Sequence, residues 1–254
     1  MAPPTLAQRL ALSRTAQRRG PRLFTTQACA EQPASSGSSR ASDSAKLAAL
    51  SAVCYTVLAL DVTSSSPMLG ALDASTHAWV QSNVPPELRA GLFQLGLSNL
   101  PLGLSLLASI GTSAAQVANA ETRRSAATAL LAATVAFGSP LPFGDWGLLG
   151  VAKAAVGRER PTSLARSLSF PSGHTAVTAY HSLVFATVLH PRRQGPGTDR
   201  PEQPFLPAAC AAIAVVASSR VLADVHWLTD VLAGAAFGAG LAMAVAASDK
   251  LDQS

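Results

Sequence analysis

The chain has 254 residues, of which 48% are hydrophobic and only 13% charged, about half the charged share of an ordinary soluble protein. That balance excludes a typical water-soluble enzyme and points to an integral membrane protein. The formal net charge of +5 does not indicate a nucleic-acid partner, because most of it lies at one end. Arg9, Arg14, Arg18, Arg19, Arg22 and Arg40 face only Glu31 and Asp43 within residues 1–45.

Residues 1–45 are rich in Arg, Ser, Thr and Ala, with no acid before Glu31. This is the composition of an organelle transit peptide, and the small residues of "RRGPRLFTTQACA" suit cleavage near Ala30. The expectation is a disordered import segment over 1–45. The Ser/Ala-rich "EQPASSGSSRASDSA" favours a plastid, with a mitochondrion or another endomembrane as alternatives; a plain basic tail is the blander reading. Residues 46–254 then form one membrane domain.

Six apolar stretches follow, at 47–62, 93–117, 125–153, 173–190, 205–222 and 227–247. Several fall short of the roughly 20 residues that cross a bilayer comfortably, but short spans persist inside a bundle. Between the first two, 71–92 reads as an amphipathic surface segment with Trp79 at the interface. Pro101 kinks the second span or marks its true start. In the third, "GSPLPFGDWGLLG" (138–150) is a broken helix or an exposed turn around Asp145 and Trp146. Gly234 and Gly238 form a small-xxx-small pair in the last span, a helix-packing surface. The three cysteines make no disulfide framework, and Cys54 and Cys210 read as small core residues.

Six spans place both termini on one side, with Arg123, Arg124, Arg192, Arg193 and Arg200 in loops on that side. The first loop on the other face carries Asp73, Glu87 and Arg89, in keeping with the positive-inside rule. The same face nevertheless collects Lys153, Arg158, Arg160, Arg166 and Arg220. Cations on that face call for a separate reason.

Three polar clusters supply it, all at this rim. "KAAVGRERP" spaces Lys153, Arg160 and Pro161; "PSGH" is Pro171 to His174; "SRVLADVHWLTD" holds Ser219, Arg220, His226 and Asp230. Lys153, Arg160 and Arg220 are cations suited to phosphate oxygens, Arg by a planar fork and Lys as a point charge. Ser172 and the N–H groups of Ser172, Gly173 and His174 open a helix, where free N–H groups and the dipole favour an anion. A simple Ser cap is the bland reading of that segment. His226 and Asp230 are four apart, so the carboxylate can hold one imidazole nitrogen and leave the other as nucleophile or base. His174 brings a second imidazole, and the pair suits a double displacement at phosphorus. A metal site is the weaker reading, because three cations share the pocket and no second carboxylate is nearby.

These eleven positions resemble the three-part signature of the type-2 phosphatidic acid phosphatase superfamily: Lys-x6-Arg-Pro, Pro-Ser-Gly-His and Ser-Arg-x5-His-x3-Asp. The resemblance spans about 46–247. It implies an all-α, six-span helical bundle with its active site at one membrane rim, acting without metal or cofactor. It further implies His226 as nucleophile, Asp230 as its orienting partner and His174 as general acid, with Lys153, Arg160, Ser172, Gly173 and Arg220 binding phosphate. The expected substrate is a lipid phosphate in the bilayer, phosphatidate first, with a polyprenyl diphosphate or phosphatidylglycerol phosphate as alternatives. No nucleic-acid partner is expected, and the sequence sets no oligomeric state. A vanadate-dependent haloperoxidase shares the same cradle, and a catalytically silent binding module is the non-enzymatic reading.

Outside the signature, His181 is expected to pack between helices and His190 to sit against a helix C-terminus. Trp227 reads as an interfacial anchor. Asp224 is close enough in sequence to pair with Arg220, or is only a turn residue.

Overall fold

A computed structural model describes residues 35–94, 99–120, 122–139, 147–162, 167–190, 193–194 and 201–251. The described chain is helical apart from one antiparallel ladder of two-residue strands, β1 (Arg193–Gln194) and β2 (Pro201–Glu202). In order the helices are α1 (Ser35–Thr63), α2 (Gly70–Asn83), α3 (Pro86–Gln94), α4 (Asn99–Val117), α5 (Arg123–Phe137) and α6 (Gly147–Val156). Then follow α7 (Gly173–Val184), continued by a π turn (Phe185–Leu189), α8 (Leu206–Leu222) and α9 (Leu228–Leu251).

Among the described residues each of the six apolar stretches carries helix, and three segments reach the length of a full span. Three segments are long and apolar enough to cross a membrane: Ser42–Thr63, Pro86–Val117, which runs over the undescribed residues 95–98, and Leu228–Asp249. Gly147–Val156 and Leu206–Leu222 are apolar but shorter. The third stretch is divided. Gly138 ends α5 in the left-handed conformation with φ of 75°, and α6 begins at Gly147 with φ of 66°. A Cβ on Gly147 would lie 2.5 Å from the Val135 carbonyl oxygen, so only glycine fits that reversal. Asp145 and Trp146 lie outside the described residues. Pro101 stands in the first turn of α4, so it marks the start of that helix and not a kink within it.

The expected boundary at 45/46 falls inside α1, which begins at Ser35; residues 1–34 lie outside the described residues. Leu47, Leu50, Val53, Val57 and Leu60 project outward from α1. Leu104 and Leu107 do the same from α4, and Leu131 and Val135 from α5. So broad an apolar surface is what a bundle presents to lipid. Cys54 and Cys210 share this outer surface, contrary to the expectation that they fill the core. Their positions on the outward faces of α1 and α8 explain the difference.

Inside, small residues let helices approach closely. Ala126, Ala129, Ala133 and Ala136 recur at helical spacing on the buried face of α5. The expected glycine pair on α9 packs directly on α7: a Cβ on Gly234 would lie 2.5 Å from the Ser172 carbonyl oxygen, and one on Gly238 2.1 Å from that of Ala176. Phe137, Tyr180, His181 and Phe237 fill the centre, and Tyr180 donates its hydroxyl to the Ala129 carbonyl at 2.5 Å.

Candidate active site

The C-terminal ends of α6 and α8 and the N-terminal ends of α7 and α9 meet at one end of the bundle. A cavity of about 310 Å³ opens there, lined by the apolar Leu102, Phe137, Leu149 and Val177 and by Lys153, Arg160, Ser167, Gly173, His174 and His226. Five of the eight expected site residues therefore line one space. Ser172, Arg220 and Asp230 are buried beside it, and the Arg220 charge bears on both His174 and His226.

His226 precedes α9 and is almost wholly buried. Its Nε2 lies 3.0 Å from Arg160 Nη1. A guanidinium has donors only, so Nε2 must accept and carries the lone pair. The ring proton then belongs on Nδ1, which faces Asp230 Oδ2 at 3.3 Å. Burial, then the charges of Arg160, Arg220 and Lys153, push the His226 imidazolium well below the usual histidine range, so the ring is neutral at neutral pH. A neutral imidazole on the cavity wall, with Nδ1 carrying the proton and Nε2 the lone pair, is a nucleophile already in the right tautomer.

The cations are fixed by backbone carbonyls. Lys153, buried at the end of α6, donates to the Leu168 carbonyl at 2.7 Å. Arg160 donates from Nε to the Ser167 carbonyl at 2.7 Å and from Nη1 to the Val225 carbonyl at 2.8 Å, and from Nη2 to Ser167 Oγ at 2.8 Å. Loop 167–169 thus orients both, and Ser169 ties it back by donating its N–H to the Arg158 carbonyl at 2.8 Å. Arg220, at the end of α8, lies over the Phe93 ring at 5.6 Å.

The "PSGH" head needs one correction. The Ser172 N–H does not face the cavity; it donates to the Asp230 backbone carbonyl at 2.9 Å. Its hydroxyl accepts from Thr175 Oγ1 at 3.1 Å. Packing against α9 thus takes up the Ser172 N–H, the hydroxyl keeps its own proton, and Gly173 and His174 are the part of that helix end that lines the cavity.

Several residues around the site have no place in the signature. Arg158 donates from Nη1 to Asp230 Oδ1 at 2.9 Å and to Thr229 Oγ1 at 2.7 Å, and from Nη2 to Asp73 Oδ2 at 2.6 Å. Asp224, buried with φ of 59°, is held by His77 at 2.7 Å, Arg89 at 3.2 Å and Gln81, so its expected role as partner of Arg220 gives way to contacts with α2 and α3. Trp227 serves a local purpose: its indole N–H donates to the Glu159 carbonyl at 2.9 Å, and the Arg158 guanidinium sits over its ring at 5.1 Å. His181 packs between α7 and α4, 3.1 Å from Ser109 Oγ. His190 sits in a ring cluster with Phe185 and Phe205. Among the described residues no three His, Cys, Asp or Glu side chains group as metal ligands.

Residues 124–251 match the PAP2 superfamily, half of the chain, and the protein belongs to that family. Among solved structures it resembles the first transmembrane PAP2 type phosphatidylglycerolphosphate phosphatase from Bacillus subtilis. The two are 22% identical with a TM-score of 0.55, over 78% of this chain and 93% of that one. That likeness is one of fold. No curated protein matches the chain.

Proposed function

We propose that this PAP2 protein is an integral membrane phosphatase that hydrolyses a lipid phosphomonoester through a phosphohistidine on His226, with phosphatidate as substrate and diacylglycerol as product. The observation that carries the reading is a neutral His226, its Nε2 lone pair held against Arg160, on the wall of a cavity that Lys153, Arg160 and His174 share. In the reaction the substrate phosphate takes over the Arg160 N–H that Nε2 accepts in this structure. Nε2 attacks phosphorus, the bond to the lipid oxygen breaks, and His174, which takes up a proton when the anionic phosphate binds beside it, gives that proton to the oxygen. Water then attacks phosphorus while His174 takes its proton, the phosphorus–nitrogen bond breaks with its electron pair returning to Nε2, and phosphate leaves. Asp230 holds the Nδ1 proton and offsets the charge that the ring acquires. Lys153, Arg160 and Arg220, with the helix end at Gly173, stabilise the equatorial oxygens; Ser172 supports that end from behind.

The apolar half of the cavity wall favours a lipid alcohol over a soluble phosphate ester. It reads nothing more of the lipid, so phosphatidylglycerol phosphate and a prenyl diphosphate are the competing substrates. We further assign six membrane crossings to the bundle, and import into a plastid membrane to residues 1–45. A fusion lacking 1–45 should lose its organelle location and keep its activity.

The test is rapid quenching with a labelled phosphatidate at neutral or alkaline pH. Wild type should yield labelled His226, His226→Asn none, and EDTA should leave the rate unchanged. Label persisting in His226→Asn, or activity that EDTA abolishes and Mg²⁺ restores, would overturn the mechanism. A kcat/KM for a competing substrate about tenfold above that for phosphatidate would overturn the substrate.

A further inference from the structure

We infer that Asp73 is a positioning residue of the catalytic pair, acting through Arg158 on Asp230 and thereby on His226; this rests on the proposed role of His226 as nucleophile. Asp73 comes from α2, outside the residues that match the family. Its carboxylate is buried and both oxygens are engaged. Oδ1 accepts the Thr229 N–H at 3.0 Å, and Oδ2 accepts the Thr229 hydroxyl at 2.6 Å. Oδ2 also receives Arg158 Nη2 at 2.6 Å. Asp73 therefore does for α9 what an N-cap residue does, from a helix 156 residues away in sequence.

Arg158 is the bridge. Its planar fork reaches Asp73 with one nitrogen and Asp230 Oδ1 with the other. Asp230 Oδ2 is left to the Trp227 N–H at 2.9 Å and to His226 Nδ1. The carboxylate cannot rotate without breaking one of these contacts, so the direction of the imidazole is set from α2.

The charges add a second consequence. One cation between two carboxylates leaves a single net negative charge behind His226. The other charged or titratable groups bearing on the ring are Arg160, Arg220, Lys153 and His174. The Asp224 carboxylate, two residues earlier, is turned toward His77 and Arg89. When Nε2 bonds to phosphorus the ring becomes cationic, and that single negative charge stabilises it. Neutralising Asp73 takes the charge behind the ring to zero, and neutralising Arg158 takes it to two.

The two substitutions must therefore move the pH profile in opposite directions. The acidic limb of kcat/KM reports deprotonation of the free-enzyme base, and activity is lost as pH falls through it. Less negative charge lowers the imidazole value, so Asp73→Asn should move the limb to lower pH. Arg158→Gln should move it to higher pH. With a short-chain phosphatidate in detergent, each variant should lose about tenfold or more in kcat with KM within about twofold, because neither side chain lines the cavity. Arg158→Lys keeps the charge but not the fork, so its limb should stay in place while kcat falls. That variant and Arg158→Gln carry the test if Asp73→Asn does not fold. Limbs that move in the same direction, an Arg158→Gln limb that does not move, or a loss expressed in KM would overturn the proposal. Absence of a trapped phosphohistidine in wild type would instead overturn the nucleophile assignment beneath it.

Discussion

The bundle buries two histidines in opposite kinds of surroundings. His226 at the rim is enclosed by charge: Asp230 on one nitrogen, Arg160 on the other, and Arg158 and Asp73 behind. His181, about two turns into α7 from His174, meets only Ser109 and aromatic rings. Its Nε2 has no hydrogen-bond partner among the described residues, and neither have the nearby hydroxyls of Ser113 and Thr178. The interior holds neutral polar groups singly, at about 1–3 kcal/mol for each unsatisfied atom. The rim holds charges, tied by carboxylates around Arg158 and Asp224 and by backbone carbonyls at Lys153 and Arg160. A charge is retained where chemistry uses it; a lone hydroxyl or imidazole is tolerated where packing encloses it.

This contrast is sharpest when the rim loses a reacting group. His174→Asn should reduce kcat by about a thousandfold, within the range expected for a general acid, with the thermal midpoint unchanged. Turnover within tenfold of wild type would remove His174 from the proposed mechanism. A smaller effect of the opposite kind is expected from the interior. Gly238→Ala puts a methyl group into the Ala176 carbonyl, and overpacking of this kind costs about 1–3 kcal/mol. Denaturation in detergent should show that loss, and an unchanged midpoint would mean the α7–α9 contact is looser than the structure has it. The smallest effect should come from His181→Gln, which keeps a polar group beside Ser109. Its kcat should stay within about twofold of wild type, and a large fall would mean that the interior histidine takes part in the chemistry.

Much of the rim was legible in the chain because its chemistry is written locally. Lys153 and Arg160, Ser172 to His174, and His226 with Asp230 each fall within one short segment, and helical spacing alone puts the last two on one face. The bridging set was not legible. Asp73 and Arg158 are 85 residues apart, and no periodicity ties an acid early in α2 to the start of α9. Asp224 shows the same limit: pairing with Arg220 or a place in a turn were both open, and the chain does turn there at φ of 59°, but it directs the carboxylate to His77, Gln81 and Arg89, which the sequence does not signal. Cys54 and Cys210 misled for a different reason. An apolar run in a membrane helix has a lipid side as well as a core side, and composition does not distinguish them.

The glycine contacts between α7 and α9 have a mechanical consequence. Gly234 seats on the carbonyl of Ser172, and Gly238 one turn further on that of Ala176. His174 and the His226–Asp230 pair are thus mounted at the two ends of one welded joint, backbone against backbone, with no side chain between to act as a spring. The spacing between the two imidazoles is a property of that joint and not of the loops around it. Any opening or closing of the site during turnover must therefore come from parts outside that joint, the 167–169 loop and the α2–α3 segment, moving over the two histidines.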